Sequence, residues 1–338
     1  MLKNRFLADK RKITKASIYA FLLIILLLLP RLGISIYYIH ILIGVFLYII
    51  MTSSLRLINL SGQVSLGHAG LMCVGAYTSA IISKNLHWTP WLTIPIGALL
   101  TFVLAFLVAI PFSRLRGLYF TMVSLFFGMA VLAINEVFEK ITGGQSGMVG
   151  IQRLFGVSKI PYYYFCLALM IVCLFIMHRL EFSRIGLTWK AVAQSHSVAS
   201  STGINEARQR IICFAIGGFF AGLVGAVYAH YYVVLSVTTF GFFTSIYIFI
   251  YMMVGGINSF YGPIIGTTVL LLIQPLFHNV IREKYIPFIF AGVLLIVLYL
   301  LPKGLFGLPE QLRLWTRKLR REEKTALQEE VIHRAPRN

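Results

Sequence analysis

Residues 59–77, NLSGQVSLGHAGLMCVGAY, set Asn59, Ser61, Gln63, Ser65 and His68 among glycines at the entry to an apolar run. Amide, hydroxyl and imidazole groups can pass a solute along a chain of hydrogen bonds, and glycine lets the backbone join them. Polar side chains within a bilayer are expensive unless they face protein or a water-filled path. Gln63, Ser65 and His68 are therefore candidates for lining such a path. A second reading stands beside this one: a helix start near the membrane interface, with His68 hydrogen-bonded to a neighbouring helix. Asn135 joins the candidate path from the end of another apolar run, next to Glu136, whose charge at a span end is ordinarily solvated. Thr142, Gly143, Gly144, Gln145, Ser146 and Gly147 follow, where glycine permits tight turns close to a ligand or partner.

Other chemistry is missing. The four cysteines, Cys73, Cys166, Cys173 and Cys213, lie inside apolar runs without CxxC or Cys/His spacing, which argues against a disulfide framework or a zinc site. The chain has no GxxxxGK[ST] phosphate loop, HExxH helix or GxSxG elbow, so nucleotide hydrolysis or covalent catalysis by those routes is not expected, and neither is a metal or a cofactor. All 11 acidic residues fall in tails, loops or span ends, which leaves no mid-span carboxylate for proton coupling. His68 and His230 without paired carboxylates suit interhelical hydrogen bonding better than an intramembrane enzyme. Work against a gradient would draw its energy from another subunit.

The elements that must hold these residues are membrane helices. Only 12% of the 338 residues are charged and the mean hydropathy is +0.83, whereas a soluble domain is about 25% charged. The net charge of +19 sits mostly in the termini and short loops, which points to an anionic membrane surface and not to nucleic acid. A span takes roughly 20 apolar residues. Ten stretches approach that length: 16–33, 36–55, 64–83, 91–113, 118–136, 161–178, 211–233, 242–254, 261–277 and 286–301. The first resembles a secretory signal, but no small-x-small cleavage site follows it, and it is read as a retained helix. Gly255, Gly256, Gly262 and Pro263 leave the eighth and ninth readable as two crossings or as one re-entrant hairpin.

The fold class is thus an all-α polytopic bundle of about ten transmembrane helices. Placing both termini in the cytoplasm puts 23 of the 30 lysines and arginines inside and seven outside, as the positive-inside rule requires. The chain divides into a basic cytoplasmic N-terminus over 1–15, a transmembrane domain over 16–301 and a cytoplasmic tail over 302–338. Two polar loops stand out, an external one at 137–160 and a cytoplasmic one at 179–210. Small residues four apart allow close packing in lipid. The seventh span has two such rows, Gly218/Gly222/Ala226 and Ala221/Gly225/Ala229, and neighbours on both sides are expected.

Seven ordered blocks carry a resemblance: SGQVSLGHAGLMCVGAYTSA at 61–80, LRGLYFTMVSLFFG at 115–128, TGGQSGMVGI at 142–151, SRIGLTWKAV at 183–192, GINEARQRIICFAIGGFFAGLVGAVYAHY at 203–231, GGINSFYGPIIG at 255–266 and PKGLFGL at 302–308. In this order they resemble the LivH/LivM permeases of bacterial branched-chain amino-acid ABC importers, and more closely the LivM branch. The resemblance implies a multi-pass protein of the bacterial inner membrane that assembles with a LivH-like second permease, two cytoplasmic ATPase subunits and an external substrate-binding protein. It places the coupling helix for the ATPase in the cytoplasmic loop, with Ala193, Gln194, Ala199 and Gly203 in the pattern. Where the family commonly has an acidic residue, Gln194, Ser195 or His196 stands instead, which puts the polar contacts in doubt. Import of urea or short amides is the alternative within the family; a stand-alone channel or secondary carrier, needing no ATPase, is the alternative outside it.

Overall fold

The computed structural model describes residues 24–33, 35–278, 292, 295, 299 and 304–307. The basic N-terminus, the first part of the first expected span, most of the tenth and nearly all of the C-terminal tail lie outside the described residues.

The apolar runs fold as helices: α1 Ile36–Asn59, α2 His68–Leu86, α3 Pro90–Phe112, α4 Leu118–Val137 and α5 Lys159–Glu181. After them come α6 Arg184–Gln194, α7 His196–Ser201, α8 Glu206–Tyr232, α9 Phe242–Gly255 and α10 Gly262–His278. Among the described residues six helices are long and apolar enough to cross a membrane, α9 together with the 3-10 turn before it being one. The chain is a multi-pass helical membrane protein.

The glycine rows explain the arrangement. A Cβ on Gly225 would run into the backbone carbonyl of Met72, and one on Gly75 into the backbone of Gly222, so α8 and α2 touch backbone to backbone. A Cβ on Gly222 or Gly218 would strike Thr101 or Ala105 of α3. The two small faces of α8 therefore seat it between α2 and α3, in the middle of the bundle. Across α2, Gly70 faces Gly128 and Gly67 faces Ser124, which brings in α4. The rest of α4 carries exposed Tyr119, Met122, Phe126 and Met129, an apolar surface suited to lipid or to another chain.

Two of the boundaries that differ from the sequence expectation bear on the site. The third span was expected from residue 64, yet α2 begins at His68. Gly62 has a φ of 79°, and the backbone from there to Leu66 is non-helical, so the polar run enters as extended chain. α8 begins at Glu206, earlier than expected, because the Asn205 side chain accepts from the Arg208 amide and caps it. Between α4 and α5 the loop expected to be external is ordered: a helical turn at Glu139–Thr142, a 3-10 turn at Gly144–Ser146, and a strand β1, Met148–Val149. This strand pairs antiparallel with β2, Val234–Leu235, just beyond α8. Gly255, Gly262 and Gly266 let α9 and α10 meet through their backbones, and Gly304 packs against Gly256 in the same turn.

Candidate functional site

The extended stretch after α1 alternates in burial: Ser61, Gln63 and Ser65 are buried while Gly62, Val64 and Leu66 are less so. That is the two-residue period of extended chain. The Ser61 hydroxyl donates to the Ile58 carbonyl and lies 3.5 Å from Gln63 Oε1. The Leu66 amide donates to Ser124 Oγ of α4 at 3.1 Å, and the Ala69 amide to Ser245 Oγ of α9 at 3.3 Å. Neighbouring helices thus supply hydroxyls to amides that the interrupted helix leaves open. The Ser65 hydroxyl is buried and has no hydrogen-bond partner among the described residues.

His68 is wholly buried at the first position of α2, its Nε2 2.7 Å from Ser54 Oγ of α1, while its Nδ1 has no partner among the described residues. The geometry has the hydrogen bond to a neighbouring helix that one of the two sequence readings expects. Asn135 lies apart from this group: its Nδ2 donates to the Val131 carbonyl at 2.8 Å and approaches Cys73 Sγ of α2 at 3.7 Å. The Asn135 carbonyl in turn accepts from the Thr142 hydroxyl, tying α4 to the loop that carries Gly143 and Gly144. Both glycines have positive φ, 80° and 52°.

The candidate coupling residues lie on α6, α7 and the turn after them. Ala193 and Gln194 are exposed, Ala199 is buried, and Gly203, two residues beyond α7, has a φ of 81°. A Cβ on Gly62 would lie 3.3 Å from Ala193 Cα. The structure therefore brings the polar extended segment and the end of α6 together, although about 130 residues of chain separate them.

Sequence reasoning missed a buried ion cluster at this same end. Arg56 near the end of α1 meets Glu181 at the end of α5 in two hydrogen bonds of 2.6 and 2.9 Å, both side chains being buried. Arg56 Nε donates to the Ile257 carbonyl, in the turn between α9 and α10, at 2.8 Å. Lys190 of α6 lies 3.0 Å from Glu181 and above the Phe182 ring. An arginine inside an apolar run was the one available signal, since such a charge needs a partner. From the sequence Glu181 reads as a loop charge.

A bundle of lipid-facing helices around an interrupted, polar helix entry defines a membrane-embedded transport protein. Residues 37–299 match the family described as the branched-chain amino acid transport system permease component, and the chain belongs to it. It is 27% identical over 290 residues to the high-affinity branched-chain amino acid transport system permease protein LivM of Salmonella typhimurium, covering 77% of this chain and 67% of that one. LivH of Escherichia coli is 30% identical over 144 residues, 43% of this chain and 45% of its own. The guanosine ABC transporter permease protein NupQ of Bacillus subtilis is 29% identical over 198 residues, 50% and 59% of the two chains. No solved structure matches the chain at a significant level.

Proposed function

We propose that the chain is the permease subunit of an ATP-driven importer of branched-chain or related amino acids in a bacterial inner membrane. It spans the membrane about ten times with both ends in the cytoplasm. It pairs with a LivH-like second permease, two cytoplasmic ATPase subunits and an external binding protein that delivers the solute. In this reading the solute passes between the two permease chains along a route lined partly by α2 and α4, with Gln63, Ser65, His68 and Asn135 as its polar residues. Ala193, Gln194, Ala199 and Gly203 receive the ATPase, and the Gly143 and Gly144 loop receives the binding protein.

The observation that carries this reading is the contact of Gly62 with Ala193. It joins the segment proposed to line the route to the segment proposed to receive the ATPase, so displacement of one is felt by the other without an intervening element. The match to a guanosine permease makes a nucleoside the competing substrate. The test is reconstitution in liposomes with the proposed partners. ATP-dependent leucine uptake that needs both the ATPase and the binding protein is expected. Accumulation by this chain alone would show a secondary carrier and overturn the proposal.

A further inference from the structure

A cavity of about 710 Å³ lies between α1, the end of α8, α9 and α10, and none of the polar residues considered so far lines it. This is within the roughly 300–1,000 Å³ usual for small-molecule pockets. From α1 come Tyr37, His40, Ile41, Gly44, Val45 and Tyr48, one face repeating every three or four residues. This face runs about 16 Å along the helix from its first turn. Tyr232 closes the cavity from α8, Tyr247 and Tyr251 from α9, and Leu271 and Pro275 from α10.

Two properties of this wall restrict what it can hold. Among the described residues it contains six aromatic or imidazole rings and two threonines, but no aspartate, glutamate, lysine or arginine. A ligand with net charge would be desolvated there without a counter-charge, which disfavours it strongly. A zwitterion keeps its charges close together: ring faces attract an ammonium group, and tyrosine hydroxyls can donate to a carboxylate. Among the described residues the hydroxyls of Tyr48 and Tyr232 make no hydrogen bond, so both remain for a ligand. Ile41, Val45 and Leu271 supply an apolar patch for an aliphatic side chain.

The cavity and the polar segment lie on two sides of one helix. α9 is the partition: its Ser245 holds the Ala69 amide at the start of α2, while Thr244, Tyr247 and Tyr251 turn to the cavity. Gly44 borders open space, since a Cβ there would meet only the Tyr232 hydroxyl, at 3.9 Å.

From this we infer that the cavity is a binding site for a net-neutral, zwitterionic amino acid with an aliphatic side chain, held by Tyr48 and Tyr232. The inference rests on the proposed importer function and adds the place and the charge selection of its substrate.

Single cysteines at Gly44→Cys and Thr244→Cys, in the importer assembled with its own partners in liposomes, test it. The probe is methyl methanethiosulfonate, small and uncharged. With ATP and loaded binding protein, leucine is expected to slow modification of both cysteines by roughly tenfold, because a bound ligand covers most of the pocket wall. Arginine and glutamate are expected to have no effect. Gly44→Phe, which fills the space, is expected to abolish leucine uptake while the complex still assembles. Leucine uptake that proceeds with both modification rates unchanged would overturn the site but leave the importer standing. Modification that is slow in the assembly whatever the solute would mean that lipid or the second permease occupies the cavity, and would also overturn it. No ATP-dependent uptake of any amino acid by the wild-type assembly would remove the importer reading itself.

Discussion

Arg56 and Glu181 sit 125 residues apart in sequence and face each other as a bidentate pair, guanidinium against carboxylate at 2.6 and 2.9 Å, sealed from solvent where α1 and α5 end. Breaking such a pair from one side leaves an uncompensated charge, which costs about 3–5 kcal/mol, whereas replacing both partners with apolar residues is often neutral. Glu181→Ala is expected to lower the thermal unfolding temperature of the purified chain markedly. The double variant Arg56→Met with Glu181→Leu should recover most of that loss. A Glu181→Ala protein as stable as its parent would show that the pair is hydrated.

Packing between α8 and α2 is more demanding than glycine content alone suggests. At Gly225 the obstacle to a Cβ is the backbone of Met72, whereas at Gly217 it is the flexible end of the Ile58 side chain. Gly225→Ala should therefore reduce the yield of folded protein, since overpacking costs about 1–3 kcal/mol. Gly217→Ala should be tolerated. Size-exclusion profiles of the two variants in detergent make the comparison, and equal behaviour would count against backbone contact.

Gly62 combines a left-handed backbone with close approach to Ala193. A β-branched residue there is strained by about 1–2 kcal/mol and also displaces α6. In the reconstituted importer, Gly62→Val is expected to lower leucine uptake more than ATP hydrolysis, so that fewer solutes move per ATP. Uptake and hydrolysis falling together would place the contact outside the coupling route.

His68 and Ser54 share one buried hydrogen bond. Ser54→Ala leaves the imidazole Nε2 unmatched, at about 1–3 kcal/mol. A stability loss with normal uptake per folded molecule would assign His68 to architecture. A loss of uptake at unchanged stability would assign it to the route.

In the loop between α4 and α5, a Cβ on Gly143 would collide with the Gly147 carbonyl, and the φ of 80° is itself unfavourable for other residues. Gly143→Ala should weaken the stimulation of ATP hydrolysis by the binding protein, with basal hydrolysis kept. Undiminished stimulation would show that the binding protein lands elsewhere.

The helices were legible because a bilayer demands long apolar runs, and that requirement shows in single residues. The rows Gly218/Gly222 and Ala221/Gly225 announced two neighbours for α8, and α3 and α2 fill those places. Polar depth was not legible. Glu181 closes an apolar run and looks solvated in one dimension, but Arg56 and Lys190 arrive from other helices to enclose it. The interruption at residues 62–67 was visible only as glycines and serines, because an extended stretch that short has no periodicity to distinguish it from the first turn of a helix. The pairing of Met148 with Leu235 and of Val149 with Val234 joins two-residue strands, too brief for any pattern. The tyrosine cavity escaped notice for another reason. Its lining comes from four helices, and each tyrosine taken singly passes for ordinary membrane-interface decoration.

The knot of Gly255, Gly262 and Gly266 has a mechanical corollary. Helices that share main-chain contact have no side-chain cushion to compress, so α9 and α10 must tilt as one wedge and cannot slide past each other. Ile257, at the tip of that wedge, is gripped through its carbonyl by Arg56. A push on the ion cluster therefore bears directly on the turn that joins α9 to α10, as on the handle of a lever.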